Sequence, residues 1–243
     1  MPIIKLDAID STNDYLKELS RQKVLENFTT VTAQVQTNGR GQRGAVWQSE
    51  SGKNLIMSVL VKDVIHTPAQ VFDLNVAVAC SVFSVFKNYN IPNISIKWPN
   101  DMLSGNHKLG GILIENLIKS ESQIEAIVGI GINVNQSNFE SLPQASSIYN
   151  VLGHVVDTDL LCQAILTQII QNCQLIASGK KEILWNLYHT HLFKKGVPMP
   201  FKTSAGNQFM GIIQSVSANG RLLILRDDGS TADFDVKEIQ LLY

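Results

Sequence analysis

Apolar and polar positions alternate over Ile3–Ile9, Thr29–Val35, Asn54–Val61 and Ile94–Trp98, which predicts strands. The clearest alternation runs from Ile124 to Asn135. It places Ile124, Ala126, Val128, Ile130, Ile132 and Val134 on one face, and Gly129, Gly131, Asn133 and Asn135 on the other. The first face belongs to a core. The second is cleared of bulk, as a ligand floor or a bulge would require. Helical spacing replaces alternation in Pro68–Tyr89, where Val71, Leu74, Val78, Val82 and Val85 recur and Thr67-Pro68 marks the start. That segment is expected to be core throughout. Asp157–Ala177 and Lys181–Leu192 predict two further amphipathic helices.

Asp10-Ser11-Thr12-Asn13-Asp14 opens a helix whose inner stripe is Tyr15, Leu16 and Leu19. Capping by Ser11 accounts for this pattern, while the free N–H groups of a helix start also suit an oxygen-rich ligand. Turns at Pro99-Asn100-Asp101 and Ser104-Gly105-Asn106 precede Lys108-Leu109-Gly110-Gly111 and the apolar Ile112-Leu113-Ile114. Lys108 therefore stands at a strand entrance, either guarding a sheet edge or facing a ligand. Beyond Lys194-Lys195-Gly196 the pattern becomes short alternating strands broken by Ala205-Gly206-Asn207, Ala218-Asn219-Gly220 and Asp227-Asp228-Gly229, the mark of a small β-barrel docked on the larger part.

Between the second and third strands lies QTNGRGQRGAVWQSESGK, Gln36–Lys53, which has no period of its own. Gly39, Gly41, Gly44 and Gly52 leave backbone N–H groups approachable, and Arg40 and Arg43 supply guanidinium forks that match carboxylate or phosphate. Such a loop is functional or merely solvated. With few apolar side chains to hold it, it is expected to be mobile when empty, with Trp47 in solvent until a ligand closes it.

Composition narrows the class. The 243 residues are 44% hydrophobic, and 20 basic against 21 acidic residues leave a net charge of −1, which offers no field for nucleic acid. Cys80, Cys162 and Cys173 sit in apolar helical patterns and read as buried free thiols of a reducing compartment, so the cytoplasm is expected. No apolar run is read as membrane-spanning, and MPIIKLDAID lacks a signal core.

Taken in order, DSTN at 10–13, GRGQRG at 39–44 with Trp47, KWPND at 97–101, KLGGIL at 108–113 and GIGINVN at 129–135 resemble the biotin protein ligase family. The resemblance spans essentially the whole chain. It implies an α+β fold: a mixed, mainly antiparallel sheet with packed helices, class II synthetase-like, over residues 1–194. A small SH3-like β-barrel would follow over 195–243. It implies activation of biotin by ATP with Mg²⁺ to biotinyl-5′-AMP, then transfer to a lysine of the biotin carboxyl carrier protein of acetyl-CoA carboxylase or a related enzyme.

The family's roles carry over by position. Ser11 and Thr12, with Asn13 beside them, would contact biotin's rings, and Gln36 would read its ureido edge. Arg40, flanked by Gly39, Gly41 and Gln42, would clamp biotin's carboxylate and the adenylate phosphate. Lys108 matches the catalytic lysine and touches both ligands, and Gly111 admits biotin. On the nucleotide side, Arg43 joins Arg40, Trp47 belongs to the closing loop, and Asn133 would face the adenine. Asn100 and Asp101 would place phosphates, a metal ion or the incoming lysine, and no metal ligand set is specified.

Two departures stand out. Gln42 and Ala45 occupy positions where many members have arginine, and the C-terminal Glu238–Tyr243 has none. The rivals are a lipoate ligase or octanoyltransferase, and a non-catalytic biotin-binding regulator. The first strand at Ile3 and the lack of a basic helix argue against DNA binding. The resemblance leaves a homodimer open.

Overall fold

The computed structural model describes residues 2–120, 123–140 and 142–243; the side chains of Arg43, Ala69, 118–120 and Gln123 are outside that description. Seven strands form the main sheet: β1 (Ile3–Ile9), β2 (Thr30–Gln36), β3 (Leu55–Ile65), β4 (Ile94–Lys97), β5 (Asp101–Ser104), β6 (His107–Ser120) and β7 (Gln123–Ile132). Their order is β1-β2-β3-β7-β6-β5-β4, with β1 and β2 parallel and the other pairs antiparallel. The mixed, mainly antiparallel sheet is as expected. The turn-rich stretch after Trp98 contains an additional short strand, β5.

Period-two alternation divides the sheet's faces. Met57, Val59 and Val61 of β3 and Ala126, Val128 and Ile130 of β7 join one buried cluster with α2 (Val71–Asn88) and α4 (Thr158–Ala177). On the other face α1 (Thr12–Gln22) lays a fully buried Leu16 against Val31, Leu60 and Ile127. Truncating so enclosed a leucine costs about 2–5 kcal/mol. Helix α1 covers only part of that face, and beyond it the sheet is left for a site.

Helices α2 and α4 are long and apolar enough to cross a membrane by length and composition, contrary to the sequence reading. Packing on the sheet and on each other accounts for their apolarity, and 67% of Val71–Asn88 is buried. Helix α2 is preceded by a 3-10 turn, Pro68–Gln70, closed by a Thr67–Gln70 capping box. It is not purely core. Asp73 accepts from Trp185 Nε1 (2.7 Å) and from Lys181 Nζ (3.0 Å) on α5 (Lys181–Thr190), and Asn75 Nδ2 donates to the Pro99 carbonyl (2.9 Å). A short helix, α3 (Ile148–Leu152), carried no sequence signal.

The C-terminal strands β8 (Pro198–Thr203), β9 (Gln208–Val216), β10 (Leu222–Arg226), β11 (Thr231–Phe234) and β12 (Ile239–Leu241) form a second, antiparallel sheet. Gly206, Gly220 and Gly229 take positive φ at its three expected turns. The sheet docks on the larger part. Trp98 Nε1 donates to the Gly220 carbonyl (2.8 Å), Lys97 Nζ to Tyr243 Oη (3.0 Å), and Val216 N–H to His189 Nε2 (3.1 Å). Cys80, Cys162 and Cys173 are free and buried, and desolvation raises their thiols to about 12, 11 and 12, so they are inert side chains.

Candidate active site

The open part of the sheet is a floor built of cross-strand rows. Ser58 of β3, Gly129 of β7 and Leu113 of β6 lie side by side, and in the next row Ile56, Gly131 and Gly111 do. The glycines make room for specific neighbours. A Cβ on Gly129 would stand 2.5 Å from Asn13 Oδ1, and one on Gly131 would stand 2.5 Å from the Trp47 indole. Pairing is regular at both positions, so no bulge accounts for these glycines, and each makes room for a side chain of the site wall. A cavity of about 260 Å³ stands over it.

At one end of the cavity, polar groups form a row that is buried at Thr12, Asn13 and Ser58 and half-buried at Gln36. Thr12 N–H donates to Gln36 Oε1 (2.8 Å), and Thr12 Oγ1 lies 3.0 Å from the same oxygen. Ser58 Oγ lies 2.7 Å from Thr12 Oγ1 and 2.6 Å from Asn13 Oδ1. Asn13 Nδ2 donates to Glu115 Oε2 (2.8 Å). Helix α1 aims this row because Ser11 caps it, accepting the Asp14 N–H, and is itself buried in the cavity wall. Capping and ligand contact are thus compatible at Ser11.

Two cations stand over the floor. Arg40 Nη2 donates to Asp14 Oδ1 (2.5 Å) and to Glu115 Oε2 (3.3 Å). Lys108 Nζ pairs with Asp101 Oδ1 (2.6 Å). Simple alternation would turn Lys108 away from Gly111. Instead the register between β5 and β6 slips, Met102 pairing Gly110 and Leu103 pairing Lys108, so Leu109 is extra. The bulge re-aims Lys108 so that Nζ comes within 3.4 Å of where a Cβ on Gly111 would be. Asn100 supports the same corner: Nδ2 donates to the Ile112 carbonyl (2.5 Å), and Ile112 N–H donates to the Asn100 carbonyl (3.0 Å).

The glycine-rich loop folds over the site. Gly41 N–H donates to the Ala45 carbonyl (2.7 Å) and Trp47 N–H to the Gly39 carbonyl (2.9 Å). The Trp47 ring sits on Gly131 instead of in solvent, and its buried Nε1 is a donor with no partner among the described residues. A ligand acceptor at that point would satisfy it.

These elements have relatives. The profile of the biotin/lipoate A/B protein ligase family matches residues 6–133, the span that holds every side chain of the floor, the row and the two cations. The chain belongs to this family. The bifunctional ligase/repressor BirA of Bacillus subtilis (strain 168) is 30% identical over 237 residues, 93% of this chain and 70% of that protein. The biotin–[acetyl-CoA-carboxylase] ligase of Mycobacterium tuberculosis is 29% identical over 79% of this chain and 71% of that protein. A biotin protein ligase structure from Aquifex aeolicus in complex with biotin and ATP superposes with a TM-score of 0.82 at 26% identity, covering 99% of this chain and 98% of that one.

Within this ligase-family chain the expected residues largely converge. Ser11, Thr12, Asn13 and Gln36 form one end of the cavity wall. Arg40, Gly41, Gln42 and Trp47 line it from the loop, Asn100 lines it from the turn before β5, and Asp101, Lys108 and Gly111 line it from β5 and β6. Two residues depart. Gly39 is outside this wall, where a side chain would collide with the Trp47 carbonyl, so its smallness serves the loop's own closure. Asn133 is also outside the wall: it is buried and donates from Nδ2 to the Ser146 carbonyl (3.0 Å), tying the segment after β7. The Arg43 side chain lies outside the described part. Three participants had no assigned role: Ser58, Asp14 and Glu115. The available signal for Glu115 was its place two residues beyond Leu113 and four beyond Gly111, on the ligand face of β6.

Proposed function

We propose that this chain is an ATP-dependent biotin protein ligase that makes biotinyl-5′-AMP and passes biotin to a lysine of a biotin-dependent carboxylase's carrier domain. One observation carries the reading: a single cavity joins a buried amide–hydroxyl row to two cations, Arg40 and Lys108. The row suits a ureido ring and the cations suit a carboxylate meeting a phosphate. The names of the relatives support it, and the two that name biotin favour it over lipoate.

In the first step biotin's carboxylate oxygen attacks the α-phosphorus of ATP, and pyrophosphate leaves. Arg40 and Lys108 would offset the repulsion of the two anions and stabilise charge as it develops. In the second step the carrier's lysine amine attacks the acyl carbon and AMP leaves. The Trp47 loop would keep water from the anhydride meanwhile. Mg²⁺ would arrive with the nucleotide and neutralise its phosphates. Among the described residues no group of three His, Cys, Asp or Glu side chains could hold it, and Asp101 is the acidic group in the cavity wall, which fits an ion held mainly by phosphates.

Incubation with biotin, Mg·ATP and a carrier domain, followed by intact-mass analysis of the carrier, tests the reading. ATP-dependent addition of one biotinyl group is expected, with lipoate unable to replace biotin; no addition with a competent carrier would reject it. We also read residues 1–194 as the catalytic unit and 195–243 as a small SH3-like domain. Cytoplasmic location would follow from the buried free thiols and is checked by fractionation. No specific DNA binding is expected of this chain at net charge −1, and a gel shift at nanomolar protein on a biotin-gene promoter would overturn that.

A further inference from the structure

We propose that Glu115 is a specificity-determining positioning residue: its carboxylate orients Asn13 and thereby makes the whole buried row select a ligand that donates N–H. The inference rests on the biotin ligase reading and names a residue that the motifs leave without a role.

The argument is a count of protons. The row runs Gln36 Oε1, Thr12 Oγ1, Ser58 Oγ, Asn13 Oδ1, with separations of 3.0, 2.7 and 2.6 Å. Each close oxygen pair needs one hydrogen, and only the Thr12 and Ser58 hydroxyls carry one. The ends cannot help as they stand. Thr12 N–H holds Gln36 with its oxygen inward. At the other end Glu115 accepts from Asn13 Nδ2, and a carboxylate that also faces Arg40 has only lone pairs to offer. Asn13 must therefore turn its NH₂ to Glu115 and its oxygen to Ser58. The Leu113 carbonyl, 3.4 Å from the same nitrogen, is too distant to impose that orientation alone.

Three contacts then share two hydrogens. Ser58 gives its hydrogen to Asn13. Thr12 gives its hydrogen either to Ser58 or to Gln36, leaving one contact with lone pair against lone pair. Ser58 and Thr12 are buried, so bulk water does not relieve a mismatch between them, and turning the Thr12 hydrogen to Ser58 moves the mismatch to the half-buried Gln36 at the cavity wall. With the Thr12 hydrogen turned to Ser58, a ligand N–H placed between Gln36 Oε1 and Thr12 Oγ1 in the cavity wall can donate to both and offset their repulsion, and a ring with no N–H, such as a dithiolane, cannot. Glutamine at 115 would change the count. Its NH₂ could face Asn13 Oδ1, Asn13 would flip to donate to Ser58, and Ser58 and Thr12 would donate onward to Gln36. The row would then be satisfied by itself and would lose its preference.

The test compares biotin with the two isosteric cyclic carbamates in which one ureido N–H is replaced by oxygen, using pyrophosphate release for KM and kcat. Wild type is expected to prefer biotin over at least one carbamate by ~100-fold or more in kcat/KM, since an unpaired buried acceptor is costly. Glu115→Gln is expected to cut that ratio at least ~10-fold through the KM for biotin. Asn13→Ala, the second variant, should lower the ratio similarly, because it frees the Ser58 hydrogen. In a Ser58→Ala background Glu115→Gln should do nothing further to the ratio, as expected of residues acting through one chain. A folded Glu115→Gln that keeps the wild-type ratio, or that lowers kcat equally for all ligands, overturns the assignment and leaves the ligase reading standing. A wild type that activates neither biotin nor carbamate overturns the ligase reading, and this assignment with it.

Discussion

Lys108 and Gly129 show how much single positions carry. Lys108 reaches the site because a bulge turns it toward Asp101. Lys108→Ala is expected to leave the melting temperature nearly unchanged and to slow biotin-dependent pyrophosphate release by ~100-fold or more, the scale of one lost transition-state contact. A folded variant releasing pyrophosphate at near wild-type rate would remove Lys108 from the chemistry. The floor glycines should separate in kind. At Gly129 a methyl group would stand 2.5 Å from Asn13 Oδ1 inside the buried row, whereas at Gly111 the nearest atoms are 3.4 Å away. Gly129→Ala should therefore lower stability by about 1–3 kcal/mol. Gly111→Ala should melt like wild type and raise the KM for biotin by filling the cavity. Equal melting curves for the two variants would contradict this.

At the scale of elements, the loop over the site is held by backbone hydrogen bonds such as Gly41–Ala45 and Trp47–Gly39, by the ion pairs of Arg40 with Asp14 and Glu115, and by the seat of Trp47, while Ala45 and Val46 are exposed. Ordering such a loop costs roughly 1–2 kcal/mol per residue in backbone entropy, so its closure should depend on ligand oxygen at Arg40 and the loop N–H groups. Trypsin reads this directly. Cleavage after Arg40 and Arg43 is expected to slow when biotin and ATP are added, and Gln42→Arg should slow escape of the adenylate by adding a cation. Unchanged cleavage would make this a surface loop with no gating role. The loop, the floor strand and the order of most elements were legible in the sequence because period-two alternation and clustered glycines are local signals. Strand β5 was hidden because its four residues lie between two turns, and α3 because a helix of five residues has no measurable period. The aim of Lys108 was hidden too, since nothing between Lys108 and Gly110 marks a bulge.

The whole molecule adds what no local pattern holds. Asn13 and Glu115 are 102 residues apart, so their contact exists only in the folded chain, and a lone acidic residue after the apolar run Ile112-Leu113-Ile114 reads as an ordinary surface charge. The docking of the second sheet was legible as an expectation, because the tail is too short to bury its own core. Its contacts were not. One of them should respond to pH. His189 Nε2 accepts the Val216 N–H at 3.1 Å and lies 3.0 Å from the Val216 carbonyl, with the rings of Trp185 and Tyr188 packed beside it and Lys195 adding like charge. Desolvation holds the imidazole below its ordinary value of 6.5, outweighing the Val216 hydrogen bond, and burial also lowers His191, which stacks on Phe83. The folded chain therefore binds these protons less readily than the unfolded one. The stability tied to the neutral rings is complete above pH 6.5 and is lost as pH falls through the folded values. The melting temperature should accordingly decline between pH 7.5 and 5.5, before most carboxylates titrate near pH ~4. His189→Gln, whose amide can serve both Val216 groups without titrating, should flatten part of that decline. A wild type with no decline over this range, or a decline equally steep in His189→Gln, would show that this contact does not couple protonation to the docking of the second sheet.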